Sequence, residues 1–257
     1  MDYSKSSERF ISKIVDLNDT VWEGRIQEPQ IEDWLKNFRD EKERIHVLYL
    51  LSMFMYFGSD QMRAVLKSLF RDLFKYPIIK RLRENNEETM KVDFLNKLFF
   101  EELKKTRFLG LGNPSESGPF LLYSFRQENE LPKYLFIHEH EILSRNVTTN
   151  KEELRYRDVS RYVFIDDFCG TGSQALRYSR NGNIKAIKEL NPDIQIYYFS
   201  LFSTKMAKEK IIESGEFDKV ETVVEFDSVY RCFDKDSRYR ENVEDFIDMD
   251  YLETVCR

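Results

Sequence analysis

The chain has 257 residues, 41% of them apolar and 14% aromatic, with a formal net charge of −6 at pH 7. That is enough apolar material for a core, which excludes a disordered chain. The charges are mixed and no Lys/Arg tail is present, so net charge does not indicate nucleic acid; Lys67, Arg71, Lys75, Lys80, Arg81 and Arg83 can still form a local basic helix face.

Residues 1–106 read as a helical region. The start, MDYSKSSERF, is too polar for a signal peptide. Ser6 or Ser7 can cap a helix carrying Phe10, Ile11, Ile14, Val15 and Leu17 on one face. GRIQEP (24–29) is a break, after which Trp34, Leu35 and Phe38 return to helical spacing. The longest apolar stretch, 45–58, has 14 residues, short of the roughly 20 that cross a bilayer. It predicts a buried helix and no membrane span. Ser59 and Asp60 can cap the next helix, with Met62, Val65, Leu66, Leu69, Phe70 and Leu73 as its buried stripe. Pro77 is expected to end or kink it. After a polar loop (84–88), Phe94, Leu95, Leu98 and Phe99 mark one more helix.

From Arg107 short apolar runs alternate with helices, and residues 107–257 read as an α/β domain. The expected strands are RFLGLG (107–112), KYLFIHEHEIL (133–143), RYVFIDD (161–167), IQIYYFSLF (194–202) and VETVVEF (220–226). PFLLYSFRQ, the segment from Ser173 and the segment with Met206, Ile211 and Ile212 are helical. This alternation predicts a doubly wound, mostly parallel sheet. The tail, 234–257, is charged and offers no clear final strand. It is either an edge helix or the end of a domain whose last element lies outside this chain. Cys169, Cys232 and Cys256 make no CxxC pair and no disulfide framework, so a reduced, cytoplasmic protein is expected.

The densest chemistry lies in RYVFIDDFCGTGSQAL. Tyr162–Ile165 is an apolar strand buried on both faces. Asp166 and Asp167 follow, two adjacent acids whose repulsion a ligand with paired donors would relieve. The 2′- and 3′-hydroxyls of a ribose are such donors, and Mg²⁺ carried by the ligand would act in the same sense. Gly170-Thr171-Gly172-Ser173 then turns into a helix. Glycine lets backbone N–H groups approach an anion, the two hydroxyls add donors, and the helix start is positive. Phosphate therefore belongs at this turn, at the carboxyl end of a parallel strand. Cys169 lies inside the loop, where a helix start can lower a thiol pKa, although an apolar filler is the simpler role. His138 and His140 alternate on an expected strand and can offer two metal ligands, or one pocket-facing acid.

FIDDFCGTGSQA resembles the phosphoribosyl diphosphate (PRPP) motif of type I phosphoribosyltransferases. TRFLGLGNPSESGPFLLYSFRQ together with YVFIDDFCGTGSQA is similar to phosphoribosyltransferase-like proteins of bacterial anti-phage conflict systems, some of them retron-associated. The resemblance implies a type I phosphoribosyltransferase-like fold. It implies that Asp166 and Asp167 are the catalytic acids that hold the ribose. The loop Cys169, Gly170, Thr171, Gly172, Ser173 and Gln174 would hold the 5′-phosphate. Asn113, Ser115, Ser117 and Gly118 fall in the family's pyrophosphate loop, and 144–158 falls where the family has a mobile flap, with Lys151, Arg155 and Arg157 able to close on phosphates. Mg²⁺ would be carried by the ligand near Asp166 and Asp167, with no direct protein site. The implied partners are PRPP or a nucleotide, and a reverse transcriptase with its non-coding RNA or another defence-system protein.

The implied activity is chemistry at ribose C1′, either base transfer or cleavage of a nucleotide's glycosidic bond, in an anti-phage effector. A non-catalytic ribose-phosphate sensor is the alternative, favoured by Gln174, which stands where the ordinary enzymes usually have Thr. DDFCGTGS also resembles the first motif of S-adenosylmethionine-dependent methyltransferases. Against that reading, IQIYYFSLFS ends without the acid that would hold the cofactor ribose, and only 85 residues follow Gly172.

Overall fold

The computed structural model describes residues 3–111, 118–241 and 243–257. In chain order the helices are α1 (Ser4–Thr20), α2 (Glu28–Leu35), α3 (Glu41–Leu51) and α4 (Ser59–Ser68). A π-helical segment (Leu69–Lys75) leads into α5 (Tyr76–Glu84) and then α6 (Val92–Lys104). Next come β1 (Thr106–Gly110), α7 (Gly118–Glu128), β2 (Leu143–Arg145), β3 (Glu152–Leu154) and β4 (Arg161–Cys169). The chain ends through α8 (Ser173–Asn181), α9 (Ile184–Leu190), β5 (Gln195–Thr204), α10 (Lys205–Ser214), β6 (Lys219–Phe226) and α11 (Met249–Cys256). Among the described residues no helix is long and apolar enough to cross a membrane.

Two compact units emerge, 1–62 with 227–257, and 63–226. The rhythm change at Arg107 marks where the sheet starts, but the unit boundaries fall elsewhere. Helices within 63–104 belong with the sheet, and the C-terminal tail belongs with the first helices.

In the helical unit, Phe10, Ile14, Trp22, Ile31, Ile45, Leu48, Tyr239, Ile247, Met249 and Leu252 form one buried cluster. The tail thus carries α11 on this core, and no strand occurs among its described residues. Two bonds tie it down: the Tyr49 hydroxyl donates to the Tyr239 carbonyl at 2.6 Å, and the Asp248 N–H donates to His46 Nε2 at 3.0 Å. His46 is fully buried, and its Nδ1 faces the Lys42 carbonyl at 2.7 Å. Burial holds its pKa below the usual histidine value.

In the α/β unit four parallel strands run in the order β1-β4-β5-β6. One face packs Tyr162, Phe164, Ile196, Tyr198 and Val220 against Ala175 and Leu176 of α8, Ile184 and Ile187 of α9, and Ala207 and Ile211 of α10. Alternate residues point to the other face. There Phe108 meets Phe74 of the π segment at 5.2 Å and Phe125 of α7 at 5.4 Å. Helices therefore cover both faces, as the alternating pattern predicts. Arg161, buried at the start of β4, donates to Thr106 Oγ1, Gln195 Oε1 and Glu102 Oε2.

Pro77 does not end the helical run, which continues into α5. The preceding turns widen into the π segment, which relieves the clash of a proline ring with the carbonyl four residues back. Pro77 has no N–H to offer the Leu73 carbonyl, and Lys219 Nζ donates to that carbonyl at 2.9 Å instead.

The expected strand at 133–143 is not one. It forms 3₁₀ turns at Lys133–Leu135 and Glu139–Glu141. Only Phe136 bridges β1, opposite Phe108, with Ile137 N–H donating to the Phe108 carbonyl at 3.2 Å. The cause is local: the Glu141 carboxylate accepts the His138 N–H at 2.7 Å and closes HEHE into a capped turn. The stretch that follows, placed by the resemblance where the family has a flap, carries the antiparallel hairpin β2–β3.

Candidate functional site

β4 is buried from Arg161 to Ile165, half-buried at Asp166 and Asp167, exposed at Phe168 and buried again at Cys169. The strand runs two residues beyond its expected end, so the two acids lie within it. Neighbours in an extended strand point to opposite faces, which makes the acids unequal. Asp166 lies with Phe164 and Tyr198: its Oδ2 accepts from the Tyr198 hydroxyl at 2.7 Å, and its Oδ1 accepts from the Asp167 N–H at 3.0 Å. Burial pushes the Asp166 carboxyl up to about 6; the Tyr198 bond opposes this and the Asp167 charge adds to it. Asp167 accepts the Phe168 N–H at 2.8 Å.

The turn after β4 is held from behind. Ser203 Oγ approaches the Cys169 carbonyl at 3.3 Å, Thr204 Oγ1 donates to the Gly170 carbonyl at 2.7 Å, and Lys210 Nζ donates to the Thr171 carbonyl at 3.3 Å. Thr204 also caps α10, accepting the Ala207 N–H at 3.1 Å. Three successive carbonyls thus face β5 and α10. The N–H groups of the turn meet weaker acceptors: that of Gly172 the Cys169 sulfur, and that of Ser173 the Thr171 hydroxyl at 3.4 Å. Such acceptors yield readily to an anion.

Gly172 adopts φ +70° and begins α8. A Cβ there would lie 3.1 Å from the Ala207 carbonyl and 3.2 Å from Ile211 Cγ1. Glycine at this position is therefore required by backbone conformation and by the closeness of α10, a different reason from the phosphate approach that the sequence suggests. Gly170 is the open one: its Cβ would meet only the exposed Phe168 ring, at 3.2 Å. Thr171, Ser173 and Gln174 are exposed on the rim.

The Cys169 thiol is buried in the core beside Tyr198, and burial raises its pKa, so it is not an activated nucleophile. Gly118 opens α7, whereas Asn113, Ser115 and Ser117 lie outside the described residues. In the hairpin region Arg155 pairs with Glu141 at 3.9 Å and Arg157 with Glu153 at 3.2 Å. The His138 and His140 rings stack at 5.6 Å on a turn, not on one face of a strand. No group of three or more His, Cys, Asp or Glu side chains suited to a metal occurs among the described residues. Sequence reasoning missed Tyr198, Thr204 and Lys210, which reach the motif only through strand pairing and helix packing.

A parallel sheet wrapped by helices, with paired acids and a Thr-Gly turn at the carboxyl end of a central strand, defines a phosphoribosyltransferase-like α/β protein. The PRTase-CE family model matches residues 31–257, and the chain belongs to that family. No curated protein matches it. Among solved structures it is similar to the orotate phosphoribosyltransferase of Aeropyrum pernix, at 11% identity over 66% of this chain and 78% of that one, with a TM-score of 0.34. It is also similar to the AQ2163 protein from Aquifex aeolicus, at 12% identity over 79% and 86%, TM-score 0.33. A third is the Helicobacter pylori xanthine-guanine-hypoxanthine phosphoribosyltransferase, at 14% identity over 51% and 83%, TM-score 0.28. At these scores the assignment rests on the sheet and the family match.

Proposed function

We propose that the chain binds PRPP or a nucleotide at the carboxyl end of β4 and acts at ribose C1′, as an anti-phage effector in a reducing cytoplasm. One observation carries this reading: the turn 169–173, its carbonyls held by Ser203, Thr204 and Lys210, begins a helix directly beside Asp166 and Asp167. The turn would take the 5′-phosphate. Asp167 and Asp166 would take the ribose hydroxyls, with Asp167 the more available because Asp166 is engaged with Tyr198.

Chemistry at C1′ passes through an oxocarbenium-like centre, and the protein's task is to position the sugar and stabilise charge. Two adjacent carboxylates are hard oxygen donors that suit Mg²⁺ arriving on a ligand's phosphates. When bound, that ion would neutralise charge on a departing pyrophosphate. The resemblance to conflict-system proteins supports a defence role, with a reverse transcriptase and its non-coding RNA, or another defence protein, as the partner.

Calorimetry with PRPP and Mg²⁺, and with nucleotides, tests the site. Binding that disappears in Asp166→Asn/Asp167→Asn with the circular dichroism unchanged supports it; unaltered binding in the double variant removes it. The buried, Tyr198-bound state of Asp166 favours a second reading, a ribose-phosphate sensor. Product analysis decides between them, since a sensor binds without turnover. The methyltransferase reading is set aside: β5 ends at Thr204, whose hydroxyl caps α10, and no acid stands there to hold a cofactor ribose.

A further inference from the structure

Next to the phosphate turn, Ser173, Leu176, Arg177, Arg180 and Lys210 line a cleft of about 320 Å³. On α8, Ser173, Arg177 and Arg180 are spaced four and then three residues apart, so they share one face. Their Cα atoms rise about 6 Å and then about 10 Å beyond Ser173. Helical side chains lean toward the N-terminus, which brings Arg177 toward the turn, while Arg180 is drawn to Glu216. From α10, Lys210 Nζ reaches Ser173 Oγ at 3.2 Å and the Thr171 carbonyl at 3.3 Å.

The charge of this cleft is poorly neutralised. Arg180 pairs with Glu216 at 3.6 Å. Lys210 is held only by a carbonyl and a hydroxyl, and Arg177 has neither a hydrogen-bond nor an ion-pair partner among the described residues. Ser173 belongs both to the turn and to the cleft, so a phosphate on the turn would have its next phosphate among these cations.

The geometry points to a site selective for nucleoside 5′-triphosphates over 5′-monophosphates, with the distal phosphates held by Lys210, Arg177 and Arg180. This rests on the reading of the turn as the 5′-phosphate site. PRPP carries a single 5′-phosphate and its pyrophosphate at the other end of the sugar, so the cleft adds nothing to PRPP. It therefore favours a nucleotide as the molecule acted on.

The test is calorimetric titration of the full chain with Mg²⁺ and matched 5′-mono- and triphosphates of adenosine, guanosine, cytidine and uridine, with PRPP and inorganic tripolyphosphate alongside. The expected result is at least tenfold tighter binding of a triphosphate than of its monophosphate. In Arg177→Gln/Arg180→Gln that preference should collapse to within about twofold while PRPP and monophosphate affinities hold. It should also shrink as salt rises. Monophosphate binding that Asp167→Asn removes, without triphosphate preference, overturns the cleft and leaves the turn standing. A preference that survives the double Gln variant, or tripolyphosphate binding as tightly as the triphosphates, likewise overturns it. Binding of no nucleotide at all sinks the turn and the cleft together.

Discussion

The Tyr198 hydroxyl and Asp166 Oδ2 lie 2.7 Å apart across the β4–β5 pair, in a core that pushes the acid up to about 6 and the phenol well above its usual range. The acid's charge helps to keep the phenol neutral, while the phenol's bond eases ionisation of the acid without outweighing its burial. The neutral pair is the favoured resting state below pH 6.

Asp166 sets the first prediction. Its folded pKa is above the unfolded value, so the folded state holds the extra proton between about pH 4 and 6. Its contribution to stability is complete below about pH 4 and is lost as pH rises through about 6. Asp166→Asn keeps an acceptor for the Asp167 N–H and a donor for Tyr198. It should therefore be more stable than wild type by about 1–3 kcal/mol at pH 8, with the gap closing near pH 4. Urea denaturation followed by far-ultraviolet dichroism across pH 4–8 measures this, and a gap that widens on acidification refutes it.

The two glycines of the turn should separate folding from binding. Gly172→Ala forces a Cβ into a positive-φ position 3.1 Å from the Ala207 carbonyl, and should cost about 1–3 kcal/mol. Gly170→Ala meets only an exposed ring that can move, so it should cost under about 1 kcal/mol. Its added methyl should instead weaken phosphate-bearing ligands. Melting curves and phosphate-ligand titrations on both variants give the comparison.

Lys219 and Pro77 should be coupled. Lys219→Met removes the donor to the Leu73 carbonyl and should destabilise by about 1–2 kcal/mol. Pro77→Ala returns an amide that can serve the same carbonyl. In that background the Lys219→Met cost should fall by at least half. A double-mutant cycle in urea reads the coupling, and additivity would show that the carbonyl needs neither donor.

His46 should make the helical unit acid-sensitive. Its folded pKa is depressed by burial, so the unfolded state binds the extra proton. The stability it contributes is present above about pH 6.5 and is lost as pH falls below that. Trp22 and Trp34, the only two tryptophans, both lie in this unit, so indole fluorescence reports it alone. Its denaturation midpoint should drop between pH 7 and 5, and His46→Gln should flatten that drop.

Much of this was legible in the chain. The run Tyr162–Ile165, the acids and the Thr-Gly turn specify strand, turn and helix because burial and turn chemistry agree at successive residues. β5, α10 and β6 follow from the same alternation. What was hidden depends on distance in sequence. KYLFIHEHEIL has strand composition, yet one carboxylate, Glu141, curls it. Pro77 marks a disturbed helix, but not that the disturbance takes the form of a π segment and a carbonyl served by a lysine 142 positions later. Tyr198 reads as a core aromatic until its register opposite Phe164 brings it to Asp166. The tail gives no periodic hint that His46 awaits Asp248.

That last bond has a consequence for synthesis. The helical unit is made of both ends of the described chain, with residues 63–226 inserted between them. A ribosome working at roughly 5–20 residues per second delivers the sheet unit before the segment that completes the helices. For about 10–40 seconds Phe10, Ile14 and Ile45 are without Ile247, Met249 and Leu252 to cover them. The α/β unit can be fully formed while its companion is still an open half, which closes only once residues 227–257 have followed the sheet.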